Sequence, residues 1–340
     1  MSIPRPFPLS PTPPLSLSQP MDLAQQHPLA EMDPEHPRDT PAVDLTANVF
    51  RSPKERAIAA ALGACAMLSV VTTLGIAGVL VYESLAFFAE VSPLQFLTET
   101  EWTPQFVDPQ YGVLPLVSGT LLITVIAAAV ALPLGLMSAI YIAEYAPARV
   151  RKVLKPGLEL LAGVPTVVYG YFALTFVTPL LQQLIPALSI YNALSAGLVV
   201  GVMILPMVAS LSEDALRAVP RTLADGAYAL GATKVEVVLR VLVPGALSGI
   251  VASFILALSR AIGETMIVTL AAGATPRLTL DPTASVQTMT AFIVQVSLGD
   301  TPAGSTVFHS LFAVGLLLFL LTLGMNLLAN AVIRRFQERY

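Results

Sequence analysis

The sequence has little charge. Only 12% of its 340 residues are Asp, Glu, Lys or Arg, whereas 55% are hydrophobic. The mean hydropathy of +0.75 lies far outside the usual range of soluble domains. This composition excludes an ordinary soluble globular protein and predicts an integral membrane protein, with membrane lipid around it and no nucleic-acid partner.

Motifs that carry catalytic chemistry are also missing. None of the four lysines follows a glycine, so the GxxxxGK[ST] phosphate-binding loop does not occur. The sequence has no HExxH, CxxC or GxSxG pattern, and its single cysteine, Cys65, forms no internal disulfide. These absences exclude a P-loop ATPase and predict no cofactor, metal site or catalytic residue. A membrane-embedded enzyme stays open as an alternative that lacks a visible catalytic cluster.

Long apolar runs dominate the remainder of the chain. Six of them approach or exceed the roughly 20 residues that a helix needs to cross a bilayer. Helices are favoured over a barrel because the runs are continuous and do not alternate. The runs cover residues 57–81, 114–143, 158–181, 193–211, 246–272 and 308–333. The sequence therefore predicts an all-α polytopic membrane protein with six transmembrane helices, plus a peripheral or re-entrant segment at 291–298.

Lysine and arginine mark the cytoplasmic side of a membrane protein. They precede the first span, fill the second and fourth connections and close the chain, whereas the first connection carries Glu and Asp but no basic residue. The residues that set this pattern are Arg51, Lys54, Arg56, Arg149, Arg151, Lys152, Lys155, Arg217, Arg221, Lys234, Arg240, Arg334, Arg335 and Arg339. We expect both termini and the fourth connection to be cytoplasmic.

The first fifty residues differ from the rest. They hold eleven of the 28 prolines and no apolar run long enough for a signal sequence. Residues 1–50 are predicted to form a disordered cytoplasmic tail, and residues 51–340 the transmembrane domain. A docking segment, an unstructured extension and a later start at Met21 or Met32 all stay open for this tail.

The fourth connection contains a glycine between two short helix-forming segments. Gly231 permits a backbone conformation that other residues resist, and Pro244 ends or kinks the second segment. We call residues 220–245 the coupling loop. Its side chains Tyr228, Leu230 and Val237 are predicted to lie in a groove of a soluble partner. The alternative is an amphipathic connector that rests on the membrane surface.

Two ionisable residues fall near the middle of the fifth predicted span. Arg260 and Glu264 each cost roughly 2.5–3.5 kcal/mol at the bilayer centre, so their face should point into protein or water. Their i,i+4 spacing puts them on one face of a helix. One interpretation is a mutual ion pair. The other is a site on a translocation path, where a guanidinium binds a phosphate-like oxyanion and the carboxylate weakens that binding.

The coupling loop resembles the EAA loop of bacterial ABC-importer permeases. The positions that match this pattern, with conservative departures at the first two and at both valines, are Asp225, Gly226, Ala227, Gly231, Val241, Val243 and Pro244. Segments 111–121, 159–170 and 260–265 are similar to the phosphate-importer permeases, and the acidic outer loop with Trp102 is similar to that of their PstC subunits. The resemblance covers about residues 54–340.

This resemblance implies a type I ABC importer permease fold in a bacterial plasma (inner) membrane. It also implies a PstA-like second permease, two PstB-like ATPase subunits and a phosphate-binding protein that delivers inorganic phosphate. Arg260 and Glu264 would lie on the substrate path, and the coupling loop would contact an ATPase. A non-transporting sensor or scaffold with the same fold is the remaining alternative.

Overall fold

The computed structural model describes residues 53–336, with side chains for residues 54–333. Every regular element in this range is helical, and a bridge between Trp102 and Tyr111 is the one β pairing within it. The helices are α1 Pro53–Glu90, α2 Pro93–Thr98, α3 Leu114–Ile140, α4 Ala148–Gly163, α5 Thr166–Phe172, α6 Thr178–Leu184, α7 Ala193–Ala218, α8 Arg221–Ala229, α9 Lys234–Val237, α10 Val243–Gly245, α11 Leu247–Ile262, α12 Met266–Ala271, α13 Met289–Leu298 and α14 Thr306–Phe336. Single π-helical turns follow α3, α5 and α9, at Tyr141–Tyr145, Ala173–Val177 and Val238–Leu242. The predicted all-α class is confirmed, whereas the predicted tail lies outside the described residues.

The chain divides into two units after Ala66. The described part of the first unit, from residue 53, is the beginning of α1. The second unit starts at Met67 and contains the remainder of α1 and all the other helices. The architecture and the sites below belong to this second unit.

Five helical segments are long and apolar enough to cross a membrane: Lys54–Glu90, Leu114–Tyr145, Thr166–Leu184, Ala193–Ala218 and Thr306–Ile333. Two further helical pieces, Lys234–Gly245 and Leu247–Ile262, are long and apolar enough only when taken together, and they meet at a bend of 69°; counted as one span, they bring the number to six. Six predicted spans thus correspond to five helical segments and one bent pair.

The third span begins later than the sequence predicts. Residues 158–163 belong to α4, which is amphipathic and buries none of its residues. Val164 is extended, with φ −68° and ψ 130°, because the residue before a proline is disfavoured in the helical region. Pro165 then precedes the first turn of α5, so the span starts at Thr166.

The fifth span is not the single helix that the sequence predicts for residues 246–272. α11 ends at Ile262 and α12 begins at Met266, with Gly263, Glu264 and Thr265 between them. Broken helices are tolerated at membrane depth where the freed backbone groups find partners inside the protein. Such partners are present here, as described below for Glu264.

Small residues bring α3, α7 and α11 close together at the centre of the second unit. A Cβ atom on Gly201 of α7 would lie 2.9 Å from the carbonyl oxygen of Ala127 on α3, so only glycine fits this approach. The hydroxyls of Ser212 and Ser253 are 2.8 Å apart and join α7 to α11. Two of these helices, α7 and α11, line the candidate site described below.

An aromatic cluster packs the connection between α1 and α3 against α1 and α13. The ring of Trp102 is 1% exposed and meets Phe292 edge-to-face at a centroid distance of 4.9 Å. Phe87 of α1 packs in the same way on Tyr111, at 5.3 Å. Burial, helped by the charge of Glu90, raises the pKa of the Tyr111 phenol. The cluster holds the acidic connection in a defined conformation.

Candidate functional site

A cavity of about 850 Å³ is lined by residues of α4, α7 and α11 and by Gly263 just beyond α11. Methionine, leucine, proline and alanine side chains form much of its wall. The other lining side chains are polar or charged, namely Lys155, Glu159, Ser210, Glu213, Ser259 and Arg260. A pocket with apolar walls and a few convergent polar groups is the usual form of a small-molecule site.

Arg260 is the charged group that α11 contributes to this cavity. It lies in the last turn of the helix, where the unpaired carbonyl groups favour a cation. Its side chain is exposed, and it makes no ion pair with any residue that the structure describes. The guanidinium is therefore available to bind an anion.

Glu264 has a different environment, although it is only four residues further along the chain. It is 8% exposed and does not line the cavity. Its Oε1 atom accepts hydrogen bonds from the backbone N–H groups of Met266 at 3.1 Å and Ile267 at 3.3 Å, which caps the start of α12. Its backbone carbonyl accepts a hydrogen bond from the Thr290 hydroxyl at 2.6 Å.

The prediction that Arg260 and Glu264 share one helical face is wrong. The i,i+4 rule applies only within a continuous helix, and α11 ends at Ile262 between the two residues. The alternative of a mutual ion pair is not observed between them in the structure. Arg260 lines the same cavity as Lys155 and Glu213 instead.

Glu213 was missed because the sequence pattern placed it just beyond the fourth span. The observed helix α7 continues to Ala218, and Glu213 is 1% exposed. Its carboxylate lies 2.8 Å from Lys155 Nζ of α4 and 2.8 Å from Arg217 Nη2 of its own helix. The i,i+4 spacing to Arg217 was visible in the sequence. The pairing with Lys155 depends on tertiary packing and had no local signal.

The coupling loop forms the predicted pair of short helices around glycine. Gly231 has a positive φ of 86° and ends α8. Its N–H donates to the Tyr228 carbonyl at 2.9 Å, and the Ala232 N–H donates to the Ala227 carbonyl at 3.1 Å. This is the Schellman arrangement, which satisfies the last carbonyls of a helix. Thr233 and Glu236 form a capping box that starts α9.

The two faces of the coupling loop are distinct. Leu230 is 91% exposed and Tyr228 is 41% exposed, as expected of side chains that are available to a partner. Val237 is fully buried against the chain's own core, so its prediction as a partner-facing residue is wrong. Asp225, Gly226, Gly231 and Pro244 are exposed, and Ala227, Val241 and Val243 are half-buried.

The coupling loop is attached to the end of α3. Arg221 Nη1 lies 3.5 Å from Glu144 Oε1, and Lys234 Nζ lies 4.7 Å from the centroid of the Tyr145 ring. Arg151 of α4 donates to the Ile142 and Ala143 carbonyls at 2.7–3.0 Å in the same region. The coupling loop thus contacts the π-helical turn that follows α3 through Arg221 and Lys234.

Residues 131–339 match the family described as "Binding-protein-dependent transport system inner membrane component". The chain is 37% identical to the probable ABC transporter permease protein YqgH of Bacillus subtilis, over 76% of this chain and 84% of that protein. It is 34% identical to the phosphate transport system permease protein PstC of Haemophilus influenzae, over 72% of this chain and 82% of that protein.

The fold has solved counterparts. A chain of a bacterial alginate ABC transporter superposes with a TM-score of 0.60 over 84% of this chain and 98% of its own length, at 16% identity. That likeness confirms the type I ABC importer permease fold. Because the family match covers more than half of the chain and includes α4, α7, α11 and the coupling loop, this chain belongs to the family of binding-protein-dependent transport system inner membrane components.

Proposed function

We propose that this chain is the permease subunit of an ATP-driven phosphate importer and forms half of its translocation path. The observation that carries the proposal is Arg260, an exposed guanidinium that has no ionic partner among the described residues and lines a cavity of about 850 Å³. The similarity to proteins named phosphate transport system permease protein PstC, at 30–35% identity, supports the choice of phosphate.

The chemistry of the cavity suits a transient oxyanion. A guanidinium offers two parallel N–H donors to a phosphate, and Ser210 and Ser259 add hydroxyl groups on the same wall. The carboxylates of Glu159 and Glu213 keep the net charge of the cavity small. Conduction requires binding that is strong enough for an ion to enter and weak enough for it to leave. We propose that Glu264 acts on this path indirectly, by fixing the helix break next to Arg260.

The coupling loop is proposed to receive force from an ATPase subunit. Leu230 and Tyr228 present an apolar face that fits a groove of a soluble partner, and the chain has no phosphate-binding loop of its own. The complete importer would contain a PstA-like second permease and two PstB-like ATPase subunits. A phosphate-binding protein would deliver inorganic phosphate from the outer side.

The membrane placement follows from the basic residues. We propose that the chain lies in a bacterial plasma (inner) membrane as a multi-pass protein with the coupling loop on the cytoplasmic side. Arg221, Lys234 and Arg240 lie in the coupling loop. The N and C termini are proposed to lie on the same side as this loop.

The test is reconstitution of the complete complex. The chain would be purified with its second permease and ATPase and placed in liposomes that enclose ATP, with the phosphate-binding protein and radiolabelled phosphate outside. We expect phosphate uptake that requires ATP and the binding protein and is not competed by sulfate. Uptake without the ATPase, or no uptake by a fully assembled complex, would reject the proposal.

A further inference from the structure

Lys155 and Glu213 also line the Arg260 cavity, and Arg217 lies behind them on α7. Glu213 is almost completely buried, and its two carboxylate oxygens each lie 2.8 Å from a cation, Lys155 on one side and Arg217 on the other. A buried carboxylate needs compensation for its lost hydration. One cation would neutralise Glu213, so the group of three carries one positive charge in excess.

Arg217, whose side chain is 36% exposed, is the partner that Glu213 has within its own helix. It is four residues from Glu213 on the same helix, α7, so the pair forms within one element. Lys155 comes from α4, which buries none of its residues, and its side chain is 37% exposed. A lysine ammonium on a flexible stem reorients easily. Lys155 is therefore the cation that can leave Glu213 without unpairing the carboxylate.

The position of this group relative to Arg260 follows from the packing of α7 against α11. The two helices run antiparallel, because Ser212 meets Ser253 while Ala215 meets Gly249. Arg260 lies seven residues after Ser253 along α11, and Glu213 lies one residue after Ser212 along α7. Because the two helices are antiparallel, these two steps point in opposite directions. At 1.5 Å per residue the two charges are separated by about 12 Å along the helices.

The direction of this separation is towards the coupling loop. Glu213 and Lys155 lie on the part of the cavity nearer the end of α7, and α8 of the coupling loop follows that end directly. An anion that leaves Arg260 in this direction meets Lys155 next. The cavity thus presents two cations in series, the first unpaired and the second paired with a carboxylate.

We infer that Lys155 forms a second, weaker site for the transported oxyanion, on the release side of Arg260, and that Glu213 competes with the anion for the Lys155 ammonium. The inference rests on the proposed function. When the anion arrives, the Lys155 ammonium leaves the Glu213 carboxylate and binds the anion, while Arg217 continues to neutralise the carboxylate. When the anion leaves, Glu213 takes the ammonium back. The competition keeps the affinity of the last site low, which favours release.

The alternative is that the Lys155–Glu213 ion pair only holds α4 against α7, as a clamp. Neutralising Lys155 and neutralising Glu213 in separate variants distinguishes the anion site from this clamp. The uptake assay above would be run with graded unlabelled phosphate enclosed on the ATPase side, and the inhibition constant of that phosphate measured from initial rates. Lys155→Gln removes the anion's ligand and should raise the constant about tenfold. Glu213→Gln removes the competitor and should lower it about tenfold. If the pair were only a clamp, both variants would break it and would shift the inhibition constant in the same direction.

Two matched controls lie beside these positions. Lys152→Gln and Asp214→Asn change the same charges on α4 and α7 at exposed residues that do not line the cavity, and should leave the constant unchanged. Shifts of the same sign in Lys155→Gln and Glu213→Gln, or shifts no larger than in the controls, overturn the inference. If Glu213→Gln fails to assemble, Lys155→Arg decides, since it must retain the inhibition that Lys155→Gln loses.

The outcome for the proposed function is separate. That proposal fails if the wild-type complex takes up no phosphate. The inference of a second site fails by itself if the wild type transports phosphate, Arg260→Gln does not, and Lys155→Gln and Glu213→Gln shift the inhibition constant in the same direction.

Discussion

Arg260 and Glu264 are separated by the end of a helix, and their side chains have different surroundings. Arg260 lies in the last turn of α11 and lines the cavity without an ionic partner among the described residues. Glu264 lies beyond Gly263 and accepts two backbone N–H groups from α12. A break at this point leaves the guanidinium available to an anion, whereas the carboxylate is held by the backbone.

Arg260→Gln tests the anion site. Glutamine keeps a polar side chain but is shorter and loses the charge and the paired donors, so phosphate uptake should fall at least tenfold, which corresponds to about 1.4 kcal/mol or more. The measurement is uptake by the reconstituted complex, after co-purification has shown normal assembly. Arg149→Gln is the control, because it removes the same charge at an exposed position outside the cavity. Wild-type uptake by Arg260→Gln would remove this residue from the path.

The capping role of Glu264 predicts a difference between two substitutions. Glu264→Ala removes the acceptor for the Met266 and Ile267 N–H groups and should lower the free energy of unfolding by about 1 kcal/mol. Glu264→Gln keeps a carbonyl acceptor, so its free energy of unfolding should fall clearly less than that of Glu264→Ala. Thermal unfolding of the purified chain in detergent measures both. Equal destabilisation by the two variants would contradict the capping role.

The fold was largely predictable because the dominant signal is local. A run of apolar residues indicates a span wherever it occurs, and the connections between runs show their charge directly. The prediction failed where one residue interrupts a run, as Pro165 does by forcing Val164 out of the helical region. It also failed at Gly263 and Glu264, where a cap from the side chain makes a break stable.

The site was predictable only in part, since its groups come from separate elements. Arg260 was identified because a charge inside an apolar run is unusual. Lys155 and Glu213 are brought together by the packing of α4 on α7, which no local pattern encodes. Val237 was assigned to the wrong face for a related reason. Its apolar character suits a partner groove and the chain's own core equally well, and the packing of the coupling loop selects the core.

Gly231→Val tests the conformation of the coupling loop. The positive φ of 86° is unfavourable for any residue with a Cβ, by about 1–2 kcal/mol, and more for a β-branched one. The turn between α8 and α9 should shift, and ATPase activity stimulated by the binding protein should fall several-fold. Co-purification of the ATPase with the chain should weaken as well.

Gly304→Val is the matched control for this experiment. Gly304 has a similar φ of 81° and open space around its Cα, but it lies in the connection between α13 and α14. The strain introduced is therefore comparable, and its location is remote in the sequence from the coupling loop. If Gly304→Val reduces ATPase stimulation as much as Gly231→Val does, the effect is a general loss of stability and the coupling role of Gly231 is unsupported.

Trp102 should be the strongest single contributor to the order of the connection between α1 and α3. It is 1% exposed and packs on Phe96, Tyr111 and Phe292. Trp102→Ala leaves a large void and should lower the free energy of unfolding by about 3–5 kcal/mol. Phe106→Ala in the same connection removes a ring that is 73% exposed and should have little effect.

Trp102→Phe separates packing from hydrogen bonding at this position. The buried Nε1 atom of Trp102 has no hydrogen-bond partner in the structure, so replacing indole by phenyl sacrifices no bond and keeps most of the ring contacts. The loss of stability should therefore be well below that of Trp102→Ala, as measured by denaturant unfolding of the purified chain. A Phe variant as unstable as the Ala variant would mean that the Nε1–H group donates a hydrogen bond within the purified chain, and that the connection between α1 and α3 is held by this bond as well as by the aromatic cluster.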